Sequence, residues 1–531
     1  MTGVLNRQSA IIFVAGYAHA FSISWPFNTG LTQGQPVWWL QLLAMGLLAW
    51  QLGLAKTKRQ GAWVGWLFAT VMQVATWWWL FISLHTYGGL AAPLAAIAIV
   101  GLAAFLALYY AAACALFVAI APVNRAGRAI LFAALWLLAE LARVALFTGF
   151  PWGEGGYAQL DAPFANLAAL VGVHGLTFAA ALLGAGVASL TVKPRWSSAG
   201  MVTVGIVLAA SLSFVFKAGS TSASGFSKAV PALFTVTLLQ GNIAQDQKFQ
   251  STGGIPDALQ WYQSQLLAAT TSLVVTPETA IPLLPQQLPD GYTNALASRF
   301  IKPASDASQT AALIGIPLGN SQQGYTNSAI ALKPSANNAI YQYDKHHLVP
   351  FGEFVHPLFK WFLAIVNIPL ADFNSGSTTQ PSLNWQGQRI APNICYEDLF
   401  GEELAERFID PATAPTMMVN ISNIAWFGNT IAIDQHLNIS RMRSIEFERS
   451  MVRATNTGAT AIIDHTGRVT HLLPRHTRGV LVGEVKGRDG ITPYAWWASR
   501  FGLWPWWGLI FTIVLIAVYA RFHWAKGQFD R

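Results

Sequence analysis

The chain has 531 residues, 53% of them apolar and only 11% charged, with a formal net charge of +8. Soluble globular chains carry about 25% charged residues, so a large part of this one expects a solvent other than water. The basic excess does not point to nucleic acid, because no Lys/Arg cluster exceeds Lys56-Thr-Lys58-Arg59, and basic residues of membrane proteins collect where loops meet anionic lipid.

Charge is unevenly spread: twelve of the 56 Asp, Glu, Lys and Arg residues lie in 1–216. A bilayer core of ~30 Å takes about 20 apolar residues as a helix. Seven runs in this first part fit, at roughly 8–26, 37–54, 61–84, 90–120, 129–147, 163–190 and 200–216. An eighth runs from Gly502 to Ala520 and opens on Trp504, Trp506 and Trp507, the composition of an interfacial belt. Arg7, Lys56–Arg59, Arg125 with Arg128, Lys193 with Arg195, and Arg521 with Lys526 and Arg531 occupy alternate connections. The short loops between them, 25–36, 85–89 and 148–162, hold no Lys or Arg. The positive-inside rule therefore predicts cytoplasmic termini and places 217–500 on the outer face. Of the two cysteines, Cys114 sits in an apolar run and reads as a small buried hydrophobe. Glu140 and Arg143 lie three apart in the fifth run, where a helix would let them pair. The loop Phe150-Pro-Trp152-Gly-Glu154-Gly-Gly-Tyr157 reads as either a lipid-headgroup site or a turn.

The predicted organisation is a membrane domain over 1–216, a linker over 217–230, a catalytic domain over 231–490, and an eighth helix with a cytoplasmic tail over 491–531. Between 233 and 485, short apolar runs alternate with helical patterns, as in a layered α/β domain. Strands are expected at Phe234–Gln240, Leu273–Thr276, Ala312–Ile316, Asn327–Leu332, Ile390–Ile394, Met417–Ile421, Ala459–Ile463 and Gly479–Val485. Helices are expected at Pro256–Thr270, Gly401–Phe408 and Ile433–Arg453.

Three clusters carry chemical potential. Pro277-Glu278-Thr279 sets a carboxylate past a buried strand, where sites gather in α/β folds. Asp344-Lys345-His-His-Leu-Val-Pro-Phe351-Gly-Glu353 brings an ammonium and a second carboxylate. Asn393-Ile-Cys395-Tyr396-Glu397-Asp398 puts the other cysteine at a strand end. A carboxylate can take a thiol's proton and an ammonium can stabilise a thiolate or an oxyanion. On spacing alone each cluster is weak, since a lone Glu is more often a cap, a lone Lys is usually solvated, and an isolated Cys is more often core packing.

Taken together and in this order, the clusters resemble the nitrilase, or carbon–nitrogen hydrolase, superfamily. With seven spans before them and one after, they are similar to its membrane-embedded N-acyltransferase branch in Gram-negative bacteria. Gly149-Phe-Pro-Trp152, Leu239-Gln-Gly-Asn242-Ile243, Asn420–Gly428 and Arg453-Ala-Thr-Asn456-Thr-Gly458 match that branch too. The resemblance implies a polytopic helical domain joined to an αββα sandwich, and a Glu278–Lys345–Cys395 triad supported by Glu353, Tyr396 and Glu397. It implies that a phospholipid, usually phosphatidylethanolamine, donates its sn-1 acyl chain to Cys395. The thioester is then attacked by the α-amine of a diacylglyceryl-cysteine apolipoprotein. It further implies an inner-membrane enzyme with its catalytic domain on the periplasmic face; a monomer is expected, with nothing in the sequence fixing the oligomeric state. No metal-ligand spacing is present, and no metal or other cofactor is expected. Phe249 stands where that branch commonly has Trp, which keeps an aromatic surface and loses the indole N–H.

The stretch Pro350–Ala371, with Phe351, Phe354, Phe359 and Trp361, is unusually apolar for a water-facing loop. It reads as a lid dipping toward lipid, together with Trp426 and Phe427. Two other readings stay open. A membrane-tethered amidase acting on a small soluble amide would use the same triad, but would need neither the lid nor the spans. A transporter would need polar pairs in several spans, where only Glu140/Arg143 is found.

Overall fold

The computed structural model describes residues 2–190, 226–231, 233–301, 309–334, 340–355 and 372–529. The predicted span 200–216, most of the linker, and Phe359 and Trp361 of the lid lie outside these residues. The described chain falls into two compact units. One runs from the start to Phe81, resumes at Ala91 and returns at Phe501; the other holds Ile82–Leu90 and the segment ending at Arg500.

The first unit is helical: α1 (Thr2–Ile23), α2 (Trp38–Leu54), α3 (Lys58–Trp77), α4 (Ala92–Ile120), α5 (Arg125–Ala145) and α6 (Ala168–Leu190). Two starts are marked by capping side chains: Thr57 accepts the Gln60 N–H at 3.2 Å, and Asn124 accepts that of Gly127 at 2.6 Å. Among the described residues, four helical segments are long and apolar enough to cross a membrane: Ala92–Ile120, Arg125–Thr148, Ala165–Ser189 and Trp504–Arg521. Trp38–Leu54 is apolar but has 17 residues. The third predicted run ends early. α3 stops at Trp77, and Ile82–Tyr87 forms a π-helical turn closed by a 2.7 Å contact between His85 Nδ1 and the Leu90 carbonyl.

Glu140 and Arg143 feel each other's charge but form no direct ion pair, although their spacing suggested one. Glu140 accepts the Gly155 N–H at 3.0 Å, while Arg143 donates to the carbonyls of Phe150 (3.1 Å) and Trp152 (2.8 Å). Both are buried, and both bind the loop that follows their own helix. Trp152 is buried with them, its ring 4.9 Å from Trp79 rather than presented at the surface.

The second unit is a sandwich. Its strands are β1 (Ser227–Ala229), β2 (Phe234–Gln240), β3 (Leu273–Val275), β4 (Ala311–Asn320), β5 (Gly324–Leu332), β6 (Tyr341–Asp344), β7 (Leu383–Trp385), β8 (Gln388–Ile394), β9 (Met417–Ser422), β10 (Ser450–Thr455), β11 (Ala461–Ile463), β12 (Val469–Leu472), β13 (Gly479–Val485) and β14 (Arg488–Gly490). Its helices are α7 (Gly254–Ala268), α8 (Tyr292–Phe300), α9 (Gly401–Ala405), α10 (Ala432–Phe447) and α11 (Pro493–Phe501); α12 (Trp504–Phe529) belongs to the helical unit. One six-stranded sheet has the order β13-β2-β3-β4-β5-β6 and the other β12-β11-β10-β9-β8-β7.

Side-chain alternation along the strands builds the layers. Leu273, Val275 and Leu313 point between the sheets, where they join Ile390, Ile394, Val419 and Val452. Val274, Ala312 and Ile314 point the other way, onto Leu259, Tyr262 and Leu266 of α7 and Leu296 and Phe300 of α8. On the far side, Ala391, Met418 and Met451 meet Leu404, Phe408, Phe447 and Tyr494. The result is the expected αββα sandwich.

One predicted element is corrected. Ile433–Arg453 is not a single helix: α10 stops at Phe447, Glu448 takes a left-handed φ of 48°, and the chain enters β10. β10 lies between β9 and β11, so its Met451, Val452 and Ala454 are buried on both faces. Such a strand has no polar alternation to separate it from the helix before it.

Candidate active site

The three triad residues of the predicted site leave the ends of sheet strands. β3 passes into Thr276-Pro277-Glu278, where the Thr276 hydroxyl accepts the Gly315 N–H at 3.0 Å. A Cβ at Gly315 would come within 2.2 Å of the Pro277 carbonyl, so only glycine lets this crossing lie against β4. The turn aims Glu278 inward. Its Oε1 accepts from Asn327 Nδ2 at 2.7 Å and Lys345 Nζ at 3.3 Å, and its Oε2 from the Asn423 N–H at 2.8 Å.

Lys345 follows β6, its N–H donating to the Asn327 carbonyl at 2.8 Å. Its ammonium also lies 2.8 Å from Glu353 Oε2, and Glu353 in turn accepts the Val349 N–H at 2.9 Å. Burial alone would lower Lys345, but Glu278 and Glu353 outweigh it and hold the ammonium above its usual range. Burial alone would raise Glu278; Lys345, Asn327, Lys248 and Asn423 reverse that and hold its carboxyl below the usual 4.5.

Cys395 is the first residue after β8 and has φ +54°. A side chain in that region costs ~1–3 kcal/mol and persists only where the surroundings enforce it. Here the enforcement is visible: the Cys395 carbonyl lies 3.2 Å from both Asn420 Nδ2 and His436 Nε2. The strand-to-turn junction lifts the thiol off the sheet, as a nucleophile elbow does. Ser422 Oγ donates to Sγ at 3.4 Å. Burial, and next the negative charge of Glu278, push the thiol up to about 12 against the pull of Lys345. At rest the site therefore holds a thiol, a carboxylate and an ammonium.

Glu397 ties the two sheets' loops together. Its Oε2 accepts the Ile394 N–H at 2.5 Å, and its Oε1 accepts the Tyr343 hydroxyl at 2.8 Å and the His346 N–H at 2.6 Å. Burial raises its carboxyl despite these donors. Tyr396 is buried, its ring centroid 5.3 Å from Phe400. His346 and His347 turn apart: one lies 2.7 Å from the Gly376 carbonyl, the other 2.9 Å from Glu403.

The aromatic residues assigned to lipid are spread out. Phe249 is 56% exposed, and Trp426 is 41% exposed with its ring edge-on to Tyr87 at 5.7 Å. Phe427 is half-buried. Phe351 donates its N–H to the Phe354 carbonyl at 2.7 Å, closing a tight turn.

Several site residues were missed. Asn420, Asn423 and Arg453 lie in segments that carried the family resemblance, but none had been given a role. Asp398, His436 and Arg453 form a buried ring: His436 Nε2 is 2.9 Å from Asp398 Oδ1, and Arg453 Nη1 is 3.2 Å from Oδ2. Arg453 Nη2 lies 3.1 Å from His436 Nδ1. A guanidinium only donates, so Nδ1 accepts and the imidazole proton sits on Nε2, shared between Asp398 and the Cys395 carbonyl. A usable signal was present: α10 carries Asp434, Gln435, His436, Asn438, Ser440 and Arg443 and is buried almost throughout.

Comparison with known proteins accounts for both units. A model described as apolipoprotein N-acyltransferase N-terminal domain matches residues 20–186, and one described as carbon-nitrogen hydrolase matches residues 235–490. The apolipoprotein N-acyltransferase of Verminephrobacter eiseniae is 55% identical over 508 residues, covering 92% of each chain. Those of Ralstonia nicotianae and Bordetella bronchiseptica are 43% and 40% identical, covering 86% and 97% of this chain and 85% and 97% of their own. At these identities over most of its length, the chain belongs to the apolipoprotein N-acyltransferase family.

Proposed function

We propose that the chain transfers the sn-1 acyl chain of a phospholipid, phosphatidylethanolamine foremost, to the N-terminal α-amine of a diacylglyceryl-cysteine apolipoprotein, by way of a thioester on Cys395. The observation that carries this is the Glu278–Lys345–Glu353 ion cluster beside a cysteine held at a strained strand end.

In the first step Sγ attacks the ester carbonyl while its proton passes to Glu278. Because the thiol is raised and the carboxyl lowered, a standing thiolate is rare, and proton loss accompanies C–S bond formation. Lys345, with a backbone N–H near Tyr396, receives the oxyanion. The intermediate collapses with cleavage of the ester C–O bond, and Glu278 returns the proton to the departing lysophospholipid. In the second step the α-amine attacks the thioester, Glu278 takes the amine's proton, and the sulfur leaves and recovers it as a thiol. Glu353 holds Lys345, and Glu397 holds the loop that carries it.

The topology completes the reading: eight spans, both termini in the cytoplasm, and a periplasmic catalytic domain on a monomer. Phe249, Phe351, Phe354, Trp426 and Phe427 face lipid around the site, and Phe359 and Trp361 extend the same apolar stretch in sequence. Mass spectrometry after incubation with labelled phosphatidylethanolamine tests the reading. An acyl adduct on Cys395 that a diacylglyceryl peptide discharges is expected. No adduct, with turnover of soluble amides, would replace the acyltransferase by an amidase.

A further inference from the structure

A second lysine enters the same site. Lys248 lies in the loop after β2 and is only 3% exposed. That loop is pinned toward the site. Asn456 accepts the Ile243 N–H at 2.9 Å and donates to the Ile243 carbonyl at 2.8 Å, and Asn423 donates to Gln245 Oε1 at 2.8 Å. From there Lys248 Nζ donates to the main-chain carbonyl of Glu278 at 3.1 Å, with the Phe249 ring 5.9 Å away. One hydrogen bond to a neutral carbonyl is little compensation for a buried ammonium, which needs opposite charge nearby.

That charge is present. Glu278 and Glu353 share Lys345, so a buried and a half-buried carboxylate face one ammonium. With Lys248 counted, the formal charges of Glu278, Glu353, Lys345 and Lys248 cancel. Lys248 is faced by Glu278 and Cys395; Glu278 is faced by Lys345, Lys248 and Cys395, with Glu353 across the Lys345 ammonium.

We propose that Lys248 is a positioning residue that balances the charge of the acylation site, a second ammonium set beside the Glu278–Lys345–Glu353 cluster around Cys395. This rests on the triad reading above. Burial lowers the Lys248 ammonium to about 8 against the pull of Glu278 and Cys395, so the balance holds at neutral pH and is lost as pH rises through that value. Removing the positive charge raises both Glu278 and the Cys395 thiol.

The test compares the full-length enzyme with Lys248→Gln, which keeps a donor for the Glu278 carbonyl, and Lys248→Arg, which keeps the charge. Thioester formation from labelled phosphatidylethanolamine is followed from pH 5 to pH 9, and alkylation of Cys395 by iodoacetamide is followed without lipid. The other cysteine, Cys114, is buried in the helical unit. In Lys248→Gln the acidic limb of acylation should move up by about one pH unit and alkylation at pH 8 should slow ~10-fold, a unit of pKa being a factor of ten. Lys248→Arg should keep the wild-type limb and, since arginine stays charged, should lose any fall above pH 8. A Lys248→Gln enzyme with unshifted limb and unchanged alkylation overturns the proposal. So do equal losses in both variants with no change of pH profile, which would make the residue structural only. Absence of any thioester in the unsubstituted enzyme would instead overturn the triad reading beneath it.

Discussion

In the catalytic unit, Glu278, Glu353 and Asp398 each meet a cationic side chain within 3.3 Å. In the helical unit, Glu140 and Arg143 sit one turn apart on α5 and turn instead to main-chain groups of the loop 150–155. The difference teaches what buried charge is for in each place. A charge paired with a charge has its proton affinity set by the partner, which is what acid–base chemistry requires. A charge bound to peptide groups fixes where a loop runs. Substitutions in the first unit should therefore change pH dependence and rate, and substitutions in the second should change stability.

The largest effect expected is at the nucleophile. Cys395→Ser should lose acyl transfer by on the order of 10⁴-fold or more, with no adduct by mass spectrometry and an unchanged melting temperature. Full activity in that variant would sink the mechanism. Next comes Lys345→Met, which leaves Glu278 and Glu353 without their shared ammonium. Loss of ~3–5 kcal/mol in denaturant unfolding is expected for a buried partner so removed, with acylation down ~10²- to 10³-fold as for a lost oxyanion donor.

The pH profile sharpens the contrast. Glu278 has its folded value below 4.5, so its contribution to stability is full above that value and is lost as pH falls through the folded one. Lys345 is held above its usual 10.5, so its contribution is full below that value and is lost only as pH rises through the folded one. Acylation should accordingly be flat from about pH 6 to pH 7.5, because a carboxylate base and a neutral thiol are both in place throughout. A tenfold rise per pH unit across that window would show that a pre-formed thiolate is the nucleophile.

Asp398→Asn should lower acylation ~10- to 100-fold without moving KM, since a displaced Cys395 carbonyl misaims the thiol. A raised KM with unchanged turnover would place the Asp398–His436–Arg453 ring outside the reaction. The smallest effect on catalysis is expected at Glu140→Gln. It should cost ~1–3 kcal/mol of stability, as for a buried hydrogen bond weakened, and leave the acylation pH profile where it was. A shifted profile there would break the comparison between the units.

How far the sequence reaches differs between the units for the same physical reason. Runs such as Ala92–Ile120 declare themselves because a lipid-facing helix must be apolar along its whole length. The end of α3 at Trp77 was not legible, since the residues after it are equally aromatic and only the packing of Ile82–Tyr87 in the catalytic unit separates them. In the sandwich, β2 and β13 form with their predicted bounds, whereas β10 was read as helix. Buried on both faces, it shows neither periodicity.

Local chemistry fixed by neighbours in the chain was thus readable from the amino acids: which segments are apolar, which strand ends carry Glu278, Lys345 and Cys395, and which family those residues resemble. Tertiary structure alone decided which charges meet. Lys345 and Glu278 are 67 residues apart and Asp398 and Arg453 are 55 apart. Glu140 and Arg143, the pair the helix spacing singled out, make their hydrogen bonds to the loop after α5 instead of to each other, because that loop returns main-chain partners to each. Spacing along one helix states which side chains can be neighbours. Burial leaves each charge needing a partner, and only the fold supplies the one it finds.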